Sequence, residues 1–340
     1  MNILLTSVGR RAYLVDFFKV ALNGRGYVVA TNTIEETTGM FAADIAELVP
    51  PAIAPDFVDR LLEICKTYKI SLLCSLHDWE APYIARNASR FEALGVRLVI
   101  PSIDVVEMCL DKYKTFQFAQ DIGVPVPKTY LSVDETSEAI AKREVTFPLI
   151  LKPRWGQGSI GVRVVSKLSE LTSAYKSLQE EILSSGFGHL ASNDSEQIVI
   201  QECLVGQEYG VDIVNDLDGE FAACFIKKKL AMRAGETDSA ITVEQPMIES
   251  LSRQVAAATR HPGNMDADFF VLENGEAALL ELNPRFGGGY PFSHLAGVNI
   301  PAALIAWCDG LTPNRDWLTM TLDISGFKDV RVVGVRTRDK

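Results

Sequence analysis

The sequence predicts an α/β protein: an N-terminal doubly wound parallel-sheet domain, followed by an α+β region of two lobes. Two patterns predict it. Up to residue 105, short apolar runs alternate with helical stripes, the order that builds a parallel sheet covered on both faces. From residue 128 the pattern changes to strands joined by turns such as Asp218-Gly219, ending in a long hairpin.

The elements follow in order. Residues 2–6 (NILLT) read as a strand, and Gly9 turns the chain. A stripe of Leu14, Val15, Phe18 and Leu22 marks a helix over 11–22 that Gly24 stops. Residues 27–31 form a second strand, 56–68 a helix, 70–75 a strand, 80–93 a helix and 96–100 a strand. Helices at 103–109 and 111–121 lead into a stiff linker, Gly123-Val-Pro-Val-Pro127. Strands 148–152 and 162–165 flank a glycine-rich loop, helix 167–184 follows, and the polar residues 185–196 read as a surface loop. Strands are expected at 197–202, 209–215 and 220–229, an irregular stretch at 231–240, a helix at 247–259 and a hairpin at 266–283. The expected domains are 1–105, 106–195 and 196–340; from about 290 onward the pattern is least informative.

Bulk properties narrow the function. With 340 residues, 47% hydrophobic and 23% charged, the chain reads as an ordinary globular protein. A net charge of -11 disfavours nucleic acid or an anionic membrane as the main partner, because both select for basic surface. The six cysteines are scattered, with no C-x-x-C pair, which argues against structural zinc and fits a reducing cytoplasm. No signal peptide and no bilayer-length apolar run is read from the sequence.

Residues 156–161 (GQGSIG) match G-x-G-x-x-G, a weak dinucleotide signal by itself. A dinucleotide fingerprint needs a helix next. Here Val162-Arg-Val-Val165 follows, which is strand-forming. The loop therefore reads as a hairpin flap whose backbone N–H groups can still meet phosphates. Lys152, ending the incoming strand, could place its ammonium on a phosphate. The first turn, Ser7-Val8-Gly9-Arg10, lacks the three glycines, and the second strand ends in Thr31-Asn32 without a ribose-binding acid. Both weigh against NAD.

The strongest signal is DADFFVLENGEAALLELNPR, residues 266–285. Asn274-Gly275 is a two-residue hairpin signal, and with that turn Asp268 faces Glu281. Asn283 shares the face of Glu281, because side chains alternate along a strand. Facing carboxylates destabilise a strand pair unless a cation joins them. Three hard oxygen donors suit Mg²⁺ sharing its shell with substrate phosphates.

The hairpin, the flap and the lysines together resemble the ATP-grasp superfamily, and within it one synthetase half of the carbamoyl phosphate synthetase large chain. The likeness covers residues 1 to about 310. The segment Glu281-Leu-Asn-Pro-Arg285 is a characteristic signature there, and the spacing of Asp268, Glu281 and Asn283 is similar to the metal triad of D-alanine–D-alanine ligases. The resemblance implies a pre-ATP-grasp domain followed by a two-lobed ATP-grasp domain. It implies ATP and Mg²⁺ as cofactors, with Mn²⁺ as an alternative ion. Lys112 and Lys152 would contact phosphates, and the loop Gly156, Gln157, Gly158, Ser159 and Gly161 would close over them. Glu202 and the backbone of Cys203 and Leu204 would read the adenine edge, and Glu208 the ribose. Asp268, Glu281 and Asn283 would hold the metal, and Arg285 would stabilise the transferring phosphoryl group. Substrate-side candidates are Arg10 in the first turn, Asp78 and Glu80 after the strand at 70–75, and Arg233; Asp78 could equally be a helix N-cap.

The chemistry implied is phosphorylation of a carboxylate to an acyl phosphate, captured by an amine or another nucleophile with release of ADP and phosphate. The expected partners are small molecules; a homodimer is left open. Carbamoyl-phosphate-type chemistry on bicarbonate and a non-catalytic ATP-binding module are the alternatives. Neither the acid nor the nucleophile is readable from the sequence.

Overall fold

The computed structural model of the chain describes residues 1–156, 160–185, 196–330 and 332. The first region runs β1 (Asn2–Thr6), α1 (Ala12–Leu22), β2 (Val28–Asn32), α2 (Thr38–Ala42), β3 (Ile45–Leu48), α3 (Phe57–Thr67), β4 (Ile70–Ser75), α4 (Ala81–Arg86), α5 (Ala88–Glu92) and β5 (Arg97–Val99). Its five strands are all parallel, in the order β3-β2-β1-β4-β5. Period-two alternation splits β1 between two cores. Ile3 and Leu5 pack with the α1 stripe Leu14, Val15, Phe18 and Leu22, while Leu4 packs with Phe57, Leu61 and Phe91 on the other face. The strand order reverses between β1 and β4, so the turns after these two strands frame a crevice at their carboxyl ends.

The second region runs α6 (Ile103–Leu110), α7 (Lys112–Asp121), β6 (Thr129–Tyr130), α8 (Val133–Ala141), β7 (Leu149–Pro153), β8 (Arg163–Val165), α9 (Leu168–Ser185) and β9 (Ile198–Glu202). Its sheet has the order β6-β9-β7-β8 and is antiparallel, with a core built on Leu149, Leu151, Leu171, Leu178 and Ile200. The antiparallel β7–β8 pair makes residues 154–162 a hairpin connection, which is why the glycine loop opens no helix. Gln157, Gly158 and Ser159, and most of the expected surface loop at 185–196, lie outside the described residues.

The third region runs β10 (Gly206–Asn215), β11 (Phe221–Arg233), β12 (Glu236–Thr242), α10 (Pro246–Thr259), β13 (Gly263–Leu272), β14 (Ala277–Asn283), α11 (Tyr290–Leu295), α12 (Ile300–Cys308) and β15 (Ser325–Phe327). Six strands form an antiparallel sheet in the order β14-β13-β10-β11-β12-β15. One face is apolar: Val211, Ile213, Met265, Ala267 and Phe269 pack against Ile248, Leu251 and Val255 of α10. The alternate residues, Asp212, Asp266 and Asp268, share the opposite face. Arg285 connects that face, through Asp266 (4.0 Å), to Asp78 (2.8 Å) in the turn after β4.

Two expectations need correction. Residues 231–240 are not irregular: β11 runs to Arg233, turns at Ala234-Gly235 and returns as β12. Both turn residues have positive φ (49° and 77°), as the tight hairpin turn demands, but alanine gives no turn signal in a sequence. The uninformative stretch from 290 contains α12, buried over Ile300–Ala306 against the face of the first sheet that α1 also covers. A helix apolar all round shows no amphipathic stripe. Among the described residues no helix is long and apolar enough to cross a membrane.

Candidate active site

The hairpin that the sequence singled out does pair Asp268 with Glu281, and Asp266 with Asn283, but not through the expected turn. The N–H of Leu272 donates to Glu276 O (2.8 Å), so the loop is the three residues Glu273-Asn274-Gly275, with Gly275 at φ 84°. That shifts the register by one. A β-bulge between Asp268 and Phe269 shifts it back, because Phe269 pairs with Leu279 while Asp268 pairs with Glu281. Two departures from regular pairing cancel at the residues that matter.

Three neighbouring cavities, sharing wall residues, lie where the regions meet. The first, about 330 Å³, has apolar walls from Ile150, Ile160, Leu204, Phe270 and Leu280, with Lys112, Lys152 and Glu281 at its polar end. Gln201, Glu202 and Cys203 also line it. Among the described residues no partner takes the backbone N–H of Cys203 or Leu204, so this edge is open to a ligand. The Glu202 carboxylate accepts from the N–H of Lys128 (3.2 Å). The second cavity, about 20 Å³, is lined by Asp78, Trp79, Lys112, Gly156, Glu281 and Asn283 among others. It shares Lys112, Gly156 and Glu281 with the first.

Local structure explains the lysines. Asp111 caps α7 by accepting from the N–H groups of Tyr113 (3.0 Å) and Lys114 (3.3 Å), which sets Lys112 at the first helical position. Arg154 fixes Asp111 from the other side through Nε (2.7 Å) and Nη2 (2.8 Å). Lys112 Nζ donates to Gly156 O (2.7 Å) at the base of the glycine loop. Lys152 is nearly buried on β7, and burial, with Lys112 nearby, pushes its ammonium down to about 8; Glu281 opposes that shift. A buried cation with so little compensation is a candidate site for an anion.

Arg285 is held in place by Asp78. Its Nε lies 2.8 Å from Oδ1 and its Nη2 2.8 Å from Oδ2, and Nη2 also donates to Asn283 Oδ1 (3.3 Å). The pair links the tip of β14 to the turn after β4. Asp78 is thus a partner for arginine; α4 starts at Ala81 with Glu80 at the cap position. Glu80 itself is buried, accepts from Ser7 Oγ (2.6 Å), and is pushed upward by burial.

The acids of the charged face are shared out unevenly. Lys229 Nζ lies 2.6 Å from Glu208 and 2.7 Å from Asp268, and these carboxylates hold its pKa well above the ordinary value despite burial. Lys227 is buried against Asp212 and donates to Ser293 Oγ (3.0 Å), while Ser293 donates to Asp212 (2.6 Å). Asp266 is pushed up to about 7 by burial and by Asp268. Gly287 makes room for it: a Cβ there would stand 2.0 Å from Asp266 Oδ1. The Glu281 side chain, by contrast, makes no hydrogen bond or ion pair to another described residue.

The anticipated site residues therefore divide. Lys112, Lys152, Gly156, Glu202, Cys203, Leu204 and Glu281 line the first cavity, and Asn283 and Asp78 join Glu281 in the second. Glu208 and Asp268 sit in the charged row beside Lys229 rather than in either lining. Arg10 is exposed; its neighbour Arg11 is the inward one, donating to Leu76 O (2.6 Å) and Phe286 O (3.2 Å). Arg233 lies at the β11–β12 tip, exposed and paired with Asp238 (3.0 Å). Gly161 closes the described part of the flap against Pro153. Sequence reasoning missed Arg11, Arg154, Lys227 and Lys229. Only the last two carried a signal, since alternate lysines in Lys227-Lys228-Lys229 on a strand share one face.

For a metal, a carboxylate without a hydrogen-bond partner beside an amide oxygen on one face suits a hard cation. Glu281 and Asn283 fit; Asp268 fits by register but is engaged by Lys229. Among the described residues no three His, Cys, Asp or Glu side chains gather to hold a metal, so an amide must complete any such set.

Comparison with known proteins agrees with this architecture. Residues 145–292 match the ATP-grasp domain family, and residues 3–99 match the PylC-like N-terminal domain family. The chain is 22% identical over 347 residues to the pyruvate carboxylase of Bacillus subtilis, covering 98% of this chain and 29% of that protein. It is 23% identical over 230 residues to the carbamoyl phosphate synthase large chain of Campylobacter jejuni, covering 64% of this chain and 20% of that one. It thus spans less than a third of the length of either relative. In structure it resembles the biotin carboxylase domain of Hydrogenobacter thermophilus 2-oxoglutarate carboxylase, solved as a dimer with MgADP, ADP and bicarbonate. The TM-score is 0.74 at 18% identity, covering 95% of this chain and 73% of that one, a likeness of fold. Residues 145–292 thus form an ATP-grasp domain.

Proposed function

We propose that this chain is an ATP-dependent, ADP-forming ligase that phosphorylates a carboxylate and passes the acyl group to an amine. The observation that carries the reading is Glu281. It stands between two cavities, across from Lys112 and Lys152 in one and beside Asn283 in the other, with no side-chain hydrogen bond or ion pair to another described residue. The first cavity suits adenosine, with an apolar slot beside the Cys203-Leu204 edge and two lysines at the phosphate end. Mg²⁺ held by Glu281 and Asn283, with Asp268 as the third ligand if Lys229 gives way, would neutralise charge on the terminal phosphates.

Direct attack of an amine on a carboxylate fails because oxide is a poor leaving group. In the proposed sequence the carboxylate oxygen attacks the γ-phosphorus and ADP departs. The amine nitrogen then attacks the acyl carbon, loses a proton, and phosphate departs. The chain's part is positioning and charge neutralisation by Lys112, Lys152 and Arg285. Asp78 keeps the Arg285 guanidinium aimed and, with other nearby acids, holds it protonated. No cysteine is cast as a nucleophile: burial pushes Cys74, Cys109 and Cys65 upward, away from the thiolate form.

The test is ADP release across a panel of carboxylates, bicarbonate included, with hydroxylamine as the trap. Hydroxamate formed with one acid identifies the acyl phosphate. ADP release with bicarbonate alone moves the assignment to carbonate phosphorylation, the chemistry of the carbamoyl-phosphate relatives. Nucleotide binding without ADP release under every condition overturns the ligase assignment.

A further inference from the structure

A third cavity, about 600 Å³, opens beside the other two. It falls within the usual range of roughly 300–1,000 Å³ for small-molecule sites. Its walls come from the loop after β3, the start of α4, the α6–α7 junction and the end of β7, so it sits at the carboxyl end of the first sheet, where ligands of such sheets bind. Trp79 and Leu110 line both this cavity and the narrow one that holds Asp78, Glu281 and Asn283. Through these shared residues the three cavities stand in one row.

Its chemistry differs from theirs. Trp79, Tyr83 and Trp155 offer ring surface, and Ile53 stands at the wall 65% exposed. A large aliphatic side chain on open display beside three rings is a surface waiting for an apolar body. The charges on the wall are unevenly spread. Arg154 pairs with both Asp111 (2.7 Å) and Glu196 (3.0 Å). Arg86 (2.6 Å) and Lys114 (3.8 Å), however, share the single carboxylate of Glu107, and both cations are about half exposed. That end of the wall carries two cations to one carboxylate, which favours a ligand anionic group placed there.

We propose that this chamber is the acceptor site, and that the acceptor is an amino acid with a bulky apolar or aromatic side chain. The side chain would lie on Trp79, Tyr83, Trp155 and Ile53, the carboxylate on Arg86 and Lys114, and the amine would enter past Trp79 and Leu110. The amine requirement rests on the ligase reading given above. The apolar body and the anionic group rest on the chamber itself.

The test is calorimetry on the full chain with MgADP present, using L-phenylalanine, L-leucine, L-alanine and phenethylamine as ligands. L-Phenylalanine or L-leucine should bind more tightly than L-alanine by at least about tenfold, the worth of a buried apolar side chain. Ile53→Asp, on an exposed position that the fold tolerates, should weaken that binding by about tenfold or more. Arg86→Glu should weaken L-phenylalanine about tenfold while changing phenethylamine less than twofold. Binding of the apolar amino acids that neither substitution alters would overturn the proposal, as would failure of either to bind while MgADP does. The ligase reading is judged separately by hydroxylamine-trapped ADP release. If that release occurs but the chamber binds nothing, the acceptor assignment alone falls. If the variants lose amino acid binding in a protein that never releases ADP, the chamber stands as a ligand site and the ligase reading falls.

Discussion

Lys152 and Lys229 are both nearly buried lysines at the end or middle of a strand, and their surroundings are opposite. Lys229 lies between Glu208 and Asp268 and is held firmly as a cation. Lys152 has Lys112 as its charged neighbour and only Glu281 to offset burial, so its ammonium is pushed down to about 8. The first lysine is satisfied by the protein. Among the described residues the second makes no ion pair, and the ligase reading proposes a nucleotide phosphate as its partner. At equal burial the two lysines are thus set apart by the acids on the neighbouring strands.

That contrast can be broken at its strongest point first. Replacing Glu281 with Gln removes the anion facing Lys152 and the uncommitted oxygen donor. Turnover should fall by at least about a thousandfold, the scale of losing a charge-stabilising group. Thermal unfolding should barely change, because the Glu281 side chain makes no hydrogen bond to another described residue; unchanged turnover would contradict the assignment.

On the satisfied side, Asp212→Ala leaves Lys227 buried without its carboxylate. Urea unfolding should report a loss of about 3–5 kcal/mol, the usual cost of breaking a buried pair from one side.

A subtler measurement reads Lys152 directly. Its pKa in the folded chain is lowered to about 8, so the cation is present below that pH and lost above it. Nucleotide affinity should therefore fall as pH rises through about 8, by up to about tenfold per unit. Lys152→Arg, which stays charged, should flatten the profile. The smallest effect is expected at Arg233, exposed and paired with Asp238 away from the cavities. Arg233→Ala should change the steady-state constants by less than about twofold, as for exposed ion pairs generally.

How much was legible depended on how local each determinant is. The α1 stripe was read residue for residue, because amphipathic periodicity is a local property of an 11-residue helix. The facing of Asp268 and Glu281 was reached through a two-residue turn that does not exist; a three-residue loop and a bulge cancel. A bulge leaves little mark in sequence, since it is set by how β13 and β14 fit their neighbours. Strand β12 was read as irregular because its polar residues and Ala234-Gly235 turn lack strand and turn signatures. Of two adjacent arginines after β1, the chain gives no hint that Arg11 turns inward while Arg10 faces solvent.

What the sequence by itself determined is the order and type of most elements, the two-part fold class and the oxygen-rich hairpin, because these follow from periodicity and backbone preference over short spans. Which acids are free to meet a ligand, and which are already claimed by a lysine or an arginine, was decided only by tertiary structure. Asp268 faces Lys229 on β11, and Asp78 meets Arg285 from 207 residues away. Burial and charge pairing depend on distances through space, and those are settled only when the three sheets come together.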